Sequence, residues 1–178
     1  MTARNRAGRN IDMKNLRGFT LVELMVTLAV VAILLTVGVP NMRDFIKNNR
    51  LTATTNAFVS SLTLARSEAV KQGRNATLCV SSDQATCTGA NWAQGWLAWV
   101  DLDADDTLDA GETLRVSEPL PQAVTLAGTQ NSFRFNATGS VNNTDTLTVC
   151  DDRAGELGRQ FRILSTGGVS LNSRFACP

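Results

Sequence analysis

Apolar residues form one long block near the start of the chain. From Phe19 to Val39 the sequence is almost unbroken in apolar residues, and Glu23 is the one charged residue within it. A helix rises ~1.5 Å per residue, so this block is long enough to cross a hydrocarbon core of ~30 Å. The pattern therefore predicts a single membrane-spanning helix.

Beyond Pro40 the pattern becomes amphipathic. Apolar residues recur at helical spacing between Asn41 and Gln72, on one face: Leu51, Phe58, Leu62, Ala65 and Ala69. Because this helical pattern resumes, we expect Pro40 to kink the helix and not to end it. Gly73 stands where a helix C-cap is expected. The sequence thus predicts one long helix whose second half has an apolar stripe that needs a sheet to cover it.

After Gly73 the apolar period changes to two, and turn residues separate β-branched and aromatic runs. This pattern predicts eight short strands: Ala76–Ser81, Trp96–Asp101, Thr113–Ser117, Val124–Ala127, Ser132–Asn136, Thr146–Cys150, Phe161–Ser165 and Val169–Leu171. We expect them to form an antiparallel meander. The fold class is then α+β, with a long N-terminal helix packed on an antiparallel β-sheet head.

Charge is divided unevenly along the chain. Residues 1–18 carry five basic residues and one acidic residue, so their net charge is +4, whereas the whole chain has a net charge of +1. The remainder is therefore at about −3. A basic N-terminal flank is typical of the cytoplasmic side of a membrane helix, which places the head outside the cytoplasm.

Four cysteines fit an oxidising compartment: Cys79, Cys87, Cys150 and Cys177. Four cysteines allow three pairings, and the sequence does not choose among them. We favour Cys79–Cys87, which closes a short loop, and Cys150–Cys177, which ties the C-terminus to a strand. The absence of histidine argues against a zinc site and against the familiar catalytic triads, so we expect no enzymatic activity.

The segment from Arg17 to Leu24 contains the most specific motif. A basic leader ends at Gly18, Phe19 follows, and Glu23 is the fifth residue of the apolar run. An acid in hydrocarbon costs several kcal/mol on most estimates, so it is expected to be functional. The motif resembles the class III signal of type IV pilins and type II secretion pseudopilins. A conventional secretory signal and a plain membrane anchor are the alternatives. Residues 36–40 offer the first a poor cleavage site, and the second does not explain Glu23.

The resemblance implies a processing scheme. A prepilin peptidase would cut between Gly18 and Phe19 and methylate the Phe19 nitrogen, and Glu23 would pair with the Phe19 amine of a neighbouring subunit. The implied regions are a leader over residues 1–18, a transmembrane and filament-core helix over 19–40, its amphipathic continuation over 41–73 and a globular head over 74–178. The implied location is the bacterial inner membrane, crossed once with the head in the periplasm, and afterwards a filament.

Further segments resemble the minor pilin and pseudopilin group called GspH, FimT and FimU. These are Leu64–Ala69, Trp92 with Gly95-Trp96, the acidic turn Asp101–Glu112, and Cys150–Gly155. The resemblance implies a minor pilin assembled at the tip of, or into, a type IV pilus, with other pilins as partners. A minor pseudopilin of a type II secretion system and a DNA receptor for natural transformation are the alternatives.

The acidic turn has the ligand spacing of a calcium loop. Oxygen-bearing residues occupy positions 1, 3, 5, 7, 9 and 12 of twelve: Asp101, Asp103, Asp105, Thr107, Asp109 and Glu112. Position 6 of such loops is a glycine, and here it is Asp106. The flanking segments also resemble strands and not helices. A solvated acidic hairpin tip without a cofactor is the favoured alternative.

Arginines near the C-terminus are the candidate DNA contacts: Arg153, Arg159, Arg162 and Arg174. Some members of the resembled group use a basic Gly-Arg-x-Arg motif, whose place is taken here by Gly167-Gly168-Val169-Ser170. Phosphate binding needs several cations on one surface. If the four side chains do not face one way, the DNA-receptor hypothesis fails.

Three tryptophans cluster in the head at positions 92, 96 and 99. Period-two spacing places Trp96, Ala98 and Val100 on one strand face, with Leu97 and Trp99 on the other. We expect all three tryptophans to be buried. An exposed tryptophan on the second face would instead be a subunit contact.

Overall fold

The structure is a computed structural model that describes residues 18–178. It divides into two compact units, one ending at Arg43 and the other comprising Asp44–Pro178. Helix α1, Leu21–Gln72, continues through Pro40, so the prediction that the proline does not end the helix is confirmed. Most of the predicted leader, residues 1–17, lies outside the described residues.

The helix ends at Gln72, as the position of Gly73 predicts. Gly73 has a φ of +64°, and the Arg74 amide donates to the Ala69 carbonyl at 3.1 Å. A left-handed residue followed by this hydrogen bond is the Schellman arrangement, which glycine adopts without a steric penalty. The C-cap therefore follows directly from the sequence.

The second unit contains eight antiparallel strands in two sheets. The strands are β1 Ala76–Val80, β2 Trp96–Val100, β3 Thr113–Ser117, β4 Thr125–Ala127, β5 Ser132–Phe135, β6 Asp145–Cys150, β7 Gly155–Ile163 and β8 Val169–Cys177. The strand order is β3-β2-β1-β5 in the first sheet and β4-β6-β7-β8 in the second. A short 3-10 turn, Trp92–Gln94, precedes β2.

Two aspects of the strand prediction are wrong. The strands do not form a single meander, because β5 returns to pair with β1 and β4 pairs with β6. Strands β7 and β8 have nine residues each and are much longer than expected. By sequence, Gly155 and Gly158 indicate turns, but both lie within β7. Strand β8 lies at a sheet edge, where polar residues are tolerated because one side faces solvent.

The apolar stripe of α1 packs into the core of the head, as predicted. Its five residues from Leu51 to Ala69 are each at most 1% exposed. Phe58 is central: its ring centroid lies 4.8 Å from that of Trp92, 5.2 Å from that of Trp96 and 5.5 Å from that of Phe161. Because these residues belong to both sheets and the 3-10 turn, one helical side chain joins the main parts of the core.

The expected division of strand β2 into two faces is confirmed. Trp96 belongs to the main core with Ala98 and Val100, whereas Trp99 packs with Leu97 and Cys79 on the opposite face. All three tryptophans are buried, at 1%, 1% and 7% exposure. Their expected burial is therefore confirmed.

The structure contains two disulfides, Cys79–Cys87 and Cys150–Cys177, which are the pairs that we favoured. Gly158 of β7 lies directly beside the second. A Cβ atom at Gly158 would stand 2.5 Å from the Cys177 sulfur. The glycine that hid strand β7 from prediction is therefore needed where the disulfide crosses the sheet.

One buried hydrogen bond links the helix to β2. The Trp96 indole nitrogen donates to the Ser61 hydroxyl oxygen at 3.0 Å, inside the core. We expect Ser61→Ala to lower the free energy of unfolding by about 1–3 kcal/mol, because the indole loses its acceptor. Thermal and chemical unfolding of the full chain in detergent micelles, followed by near-UV circular dichroism, measures this.

Ser60→Ala is the matched control. The Ser60 hydroxyl accepts a hydrogen bond from Arg115 at 2.8 Å, but at the surface. Its loss should cost less than about 1 kcal/mol. Equal costs for the two variants would contradict the importance of the buried bond.

Candidate functional site

The predicted processing site lies at the start of the described chain. Thr20 caps the helix, because its hydroxyl accepts a hydrogen bond from the Glu23 amide at 3.2 Å. Glu23 lies in the first helical turn, where the helix dipole favours a carboxylate. This interaction with the helix dipole partly explains an acid at position 23. Glu23 lies about one helical turn from Phe19.

An apolar surface follows Glu23 along the helix. Every residue from Gly18 to Ile46 is exposed, and Phe19 is 77% exposed. By length and composition, α1 is the one helix in the described part of the chain that could cross a membrane. Single exposed apolar residues are ordinary, but a continuous surface of this size marks contact with lipid or with other helices.

The acidic turn between β2 and β3 forms a compact loop. Asp101 and Glu112 are buried at its two ends, with 2% and 4% exposure. Glu112 accepts hydrogen bonds from the amides of Leu102, at 2.7 Å, and Asp109, at 3.0 Å. Asp101 accepts from Ala104 at 2.8 Å. The two end carboxylates therefore close the loop through its own backbone.

The aspartate at position 6 adopts the conformation that a glycine would provide. Asp106 has a φ of +63°, in the left-handed region that aspartate tolerates better than most residues. One carboxylate oxygen from each of Asp101, Asp103 and Asp105 can lie within 4.8 Å of the others. The missing glycine therefore does not exclude a calcium loop, and the calcium site stays a prediction.

Hydrogen bonds already stabilise the ionised carboxyls of this loop. Hydrogen bonds from the Thr107 hydroxyl and amide lower the pKa of Asp105 below its ordinary value. The Arg134 guanidinium on β5 pairs with Asp106 and lowers the pKa of that carboxyl. The sequence did not reveal this contact, because the two residues are distant along the chain and Arg134 belongs to no motif.

The four candidate DNA arginines do not share a face. Arg159 is paired in the sheet with buried Val149, whereas Arg162 is paired with Thr146 on the exposed face. Paired residues of an antiparallel ladder point to the same side of the sheet, so these two arginines point to opposite sides. Arg174 is exposed on β8. The condition set for the DNA-receptor hypothesis is therefore not met.

Arg153 is occupied by structural contacts. It donates to Asp151 at 2.7 Å, to Asn48 at 2.9 Å and to Asp44 at 3.3 Å. Beside it, Lys47 pairs with Asp152 at 2.7 Å. These contacts clasp the helical segment 44–48 to the turn after β6, so the Arg153 guanidinium is already used within the fold.

Comparison with known proteins identifies the family. The family described as type II transport protein GspH matches residues 54–167, and the prokaryotic N-terminal methylation motif matches residues 13–39. The first match covers well over half of the chain. The chain belongs to the GspH family. No curated protein matches it.

Solved structures with the same fold include a pilus and a secretion protein. The type IV minor pilin FimU of Pseudomonas aeruginosa has 22% identity and a TM-score of 0.56, covering 72% of this chain and 92% of that chain. The minor pseudopilin EpsH of the Vibrio cholerae type 2 secretion system has 13% identity and a TM-score of 0.50, covering 70% and 97%. At these identities the likeness shows the fold alone.

Membership of this family settles the class of protein. The family consists of structural pilin and pseudopilin subunits, so the chain is a minor pilin or pseudopilin and is not an enzyme. Such subunits assemble with other pilins or pseudopilins after processing by a prepilin peptidase. The methylation motif spans both Gly18 and Phe19.

The calcium prediction can be measured on the full chain. If the loop from Asp101 to Glu112 binds calcium, millimolar Ca²⁺ should raise the midpoint of thermal unfolding by mass action. Asp103→Asn should then abolish the effect, because Asp103 is exposed and its carboxylate would serve mainly as a ligand. An unchanged midpoint would leave a hairpin tip that is closed by its own hydrogen bonds.

The Arg153 contacts predict a loss of stability. Arg153→Gln should lower the free energy of unfolding by about 2 kcal/mol, because it leaves the nearly buried Asp151 carboxylate without its cation. Arg162→Gln is the matched control and should stay within about 0.5 kcal/mol. Chemical unfolding of both full-length variants measures the difference.

The effect should depend on pH. Burial opposes ionisation of Asp151, but hydrogen bonds from Arg153 outweigh it and lower the pKa of that carboxyl below its ordinary 3.8. A lowered pKa contributes stability above the ordinary value, and this stability is lost as the pH falls through the folded pKa. The difference between wild type and Arg153→Gln should therefore shrink below about pH 4. A constant difference would contradict the charge pairing.

Proposed function

We propose that this chain is a minor pilin-like structural subunit of a type IV pilus. A prepilin peptidase cuts it between Gly18 and Phe19 and methylates the Phe19 nitrogen, and the mature chain enters the pilus at its tip or within the filament. The observation that carries this proposal is the exposed apolar surface of α1. Over that surface, Glu23 is the one charged residue before Arg43.

The exposed helix supports a two-stage route. Before assembly, the segment from Phe19 to Val39 is stable only in lipid, because water would face some twenty residues of apolar surface. The inner membrane is therefore its first environment, with the head in the periplasm. During assembly the helices of neighbouring subunits replace the lipid, so the segment stays out of water throughout.

Glu23 provides the specificity of this exchange. Cleavage after Gly18 creates a cationic amine on Phe19, at nearly the same depth as the Glu23 carboxylate. A carboxylate that lacks a partner is costly in an apolar environment, so pairing with the amine of a neighbour favours one register of helix packing.

A minor pseudopilin role in type II secretion is the second candidate. The description of the GspH family and the fold shared with EpsH both support it. The two roles differ in the genes beside this one and in the phenotype of a deletion. Loss of surface pili would support the pilus role, whereas loss of a secreted enzyme would support the pseudopilus role. DNA reception is less favoured, because the four arginines do not form one surface.

The proposed assembly step predicts a separation of two phenotypes. Glu23→Ala should leave membrane insertion unchanged, because it only makes the helix more apolar. Incorporation into filaments should fall by roughly tenfold or more, since the Phe19 amine of the neighbour loses a partner worth at least about 1.4 kcal/mol. Membrane fractionation and immunoblotting of sheared filaments measure the two quantities.

Two variants sharpen this experiment. Glu23→Gln should also reduce incorporation, because an amide cannot neutralise the amine. Glu68→Ala is the matched control, since Glu68 lies on the same helix and forms its ion pair with Lys71 within that helix. Loss of insertion together with assembly in Glu23→Ala would overturn the explanation.

A further inference from the structure

A polar depression lies on the face of the first sheet that carries Trp99. Its volume is about 390 Å³. The depression is named the Trp99 cleft here, and the lining residues that matter are Thr77, Trp99, Asp106, Ser132, Arg134 and Asn142. The family role described above does not account for a polar cleft on this face of the head.

The Trp99 indole lacks a hydrogen-bond acceptor. The indole nitrogens of Trp92 and Trp96 donate to the Gln130 carbonyl at 2.8 Å and to the Ser61 hydroxyl at 3.0 Å. Among the side chains that the structure describes, Trp99 Nε1 is the one buried nitrogen or oxygen without such a partner. Trp99 is 7% exposed, so water does not readily replace the acceptor. A buried donor of this kind is costly, and it marks a place where an acceptor would be favourable.

The acidic loop packs beside Trp99. Leu108 of the loop packs on the cluster that Trp99 forms with Leu97 and Cys79. Two residues earlier, Asp106 pairs with Arg134 across the cleft. Both charged side chains are substantially exposed, at 58% and 37%, and exposed ion pairs contribute little to stability. The positive φ of Asp106 adds a conformational cost. Moving the Asp106 side chain away from Arg134 therefore costs little.

Moving Asp106 away from Arg134 would free a set of donors. The Trp99 indole and the Arg134 guanidinium would both be without an acceptor. The Asn142 side-chain oxygen accepts a hydrogen bond from the Arg134 amide at 3.0 Å, which leaves its NH₂ group to donate. The hydroxyls of Thr77 and Ser132 add two more donors. Among the described residues that line the cleft, Asp106 is the only anion, so once it is displaced this donor set suits a carboxylate.

We propose that the Trp99 cleft binds an acidic side chain of a neighbouring subunit, whose carboxylate displaces Asp106 from Arg134 and accepts the Trp99 indole proton. Asp106 is then the internal competitor for the site. The identity of the partner rests on the proposed function, because assembly supplies the neighbouring subunit. The cleft, at about 390 Å³, has room for an inserted side chain.

The full chain in detergent micelles, with ¹⁵N-labelled tryptophan, tests this proposal by NMR. Its three tryptophans give three indole signals, and Trp99→Phe assigns one of them by removing it. The probe is the blocked peptide acetyl-Gly-Glu-Gly-amide. We expect the Trp99 indole proton to shift downfield and to saturate at roughly millimolar peptide, as suits a single carboxylate. The signals of Trp92 and Trp96 should barely move.

Variants of the acidic loop and of strand β5 test the contributions of Asp106 and Arg134 one at a time. Asp106→Gly suits the positive φ and removes the competing carboxylate, so the peptide should bind about threefold tighter or more. Arg134→Gln should abolish the saturable shift. Arg115→Gln, which changes an arginine on β3 that contacts Ser60, is the matched control and should bind as the wild type does.

Several results would overturn the proposal. They are an equal shift with acetyl-Gly-Gln-Gly-amide, an undiminished shift in Arg134→Gln, and no shift in Asp106→Gly at tens of millimolar peptide. Acetate binding as tightly as the peptide would overturn the subunit as the source, because a small acid would suffice. The titration needs no filament, so its failure would leave the assembly role of Glu23 untouched, and the converse also holds.

Discussion

The packing of Phe58 against both sheets is the contact on which the head depends. Three aromatic rings surround it, two from the segment around β2 and one from β7. The two sheets have separate strand ladders, and backbone hydrogen bonds from Val141 to Ser165 and from Asn142 to Arg134 link them only near their ends, so a shared apolar core must hold the rest together. The helix supplies that core from one face, and the cysteine bridges lie at its margins. One long helix therefore supplies both the exposed apolar segment and the central element of the fold.

Two segments of the same helix have different roles. Its residues up to Ile46 are exposed, whereas its stripe begins at Leu51 and is fully buried. The second part of the helix is buried by contacts within the head itself. The first part stays exposed, and its apolar surface can be covered only by lipid or by other helices. The clasp of Arg153 to Asp44 and Asn48 occupies the stretch before the stripe begins. It fixes the helix to the head through polar contacts where apolar contacts are not available.

Local patterns in the sequence predict much of this arrangement, and contacts between distant residues explain the rest. The stripe, the C-cap at Gly73 and the two faces of β2 follow from periodicity and glycine conformation. The pairing of β5 with β1 does not, because an alternating pattern identifies a buried face and not the neighbouring strand. Gly158 looked like a turn residue, but the approach of the Cys177 sulfur explains it. The four arginines likewise required the register of the sheet, which places Arg159 and Arg162 on opposite sides.

The acidic loop shows why a motif and its structural context have to be considered together. Its spacing matches a metal loop, yet the carboxylates of Asp101 and Glu112 accept hydrogen bonds from the loop backbone. The loop also bears Leu108 over Trp99 and Asp106 against Arg134. Hydrogen bonds and packing within the head explain each of these features. They do not explain why the buried Trp99 indole has no hydrogen-bond acceptor. Two of the three indoles in this head are satisfied by groups within the fold, so the cost of the third is not an unavoidable consequence of burying tryptophan. The unpaired Trp99 indole is costly in free energy, and it lies beside an exposed ion pair that contributes little to stability. An acceptor that arrives from another molecule explains this arrangement better.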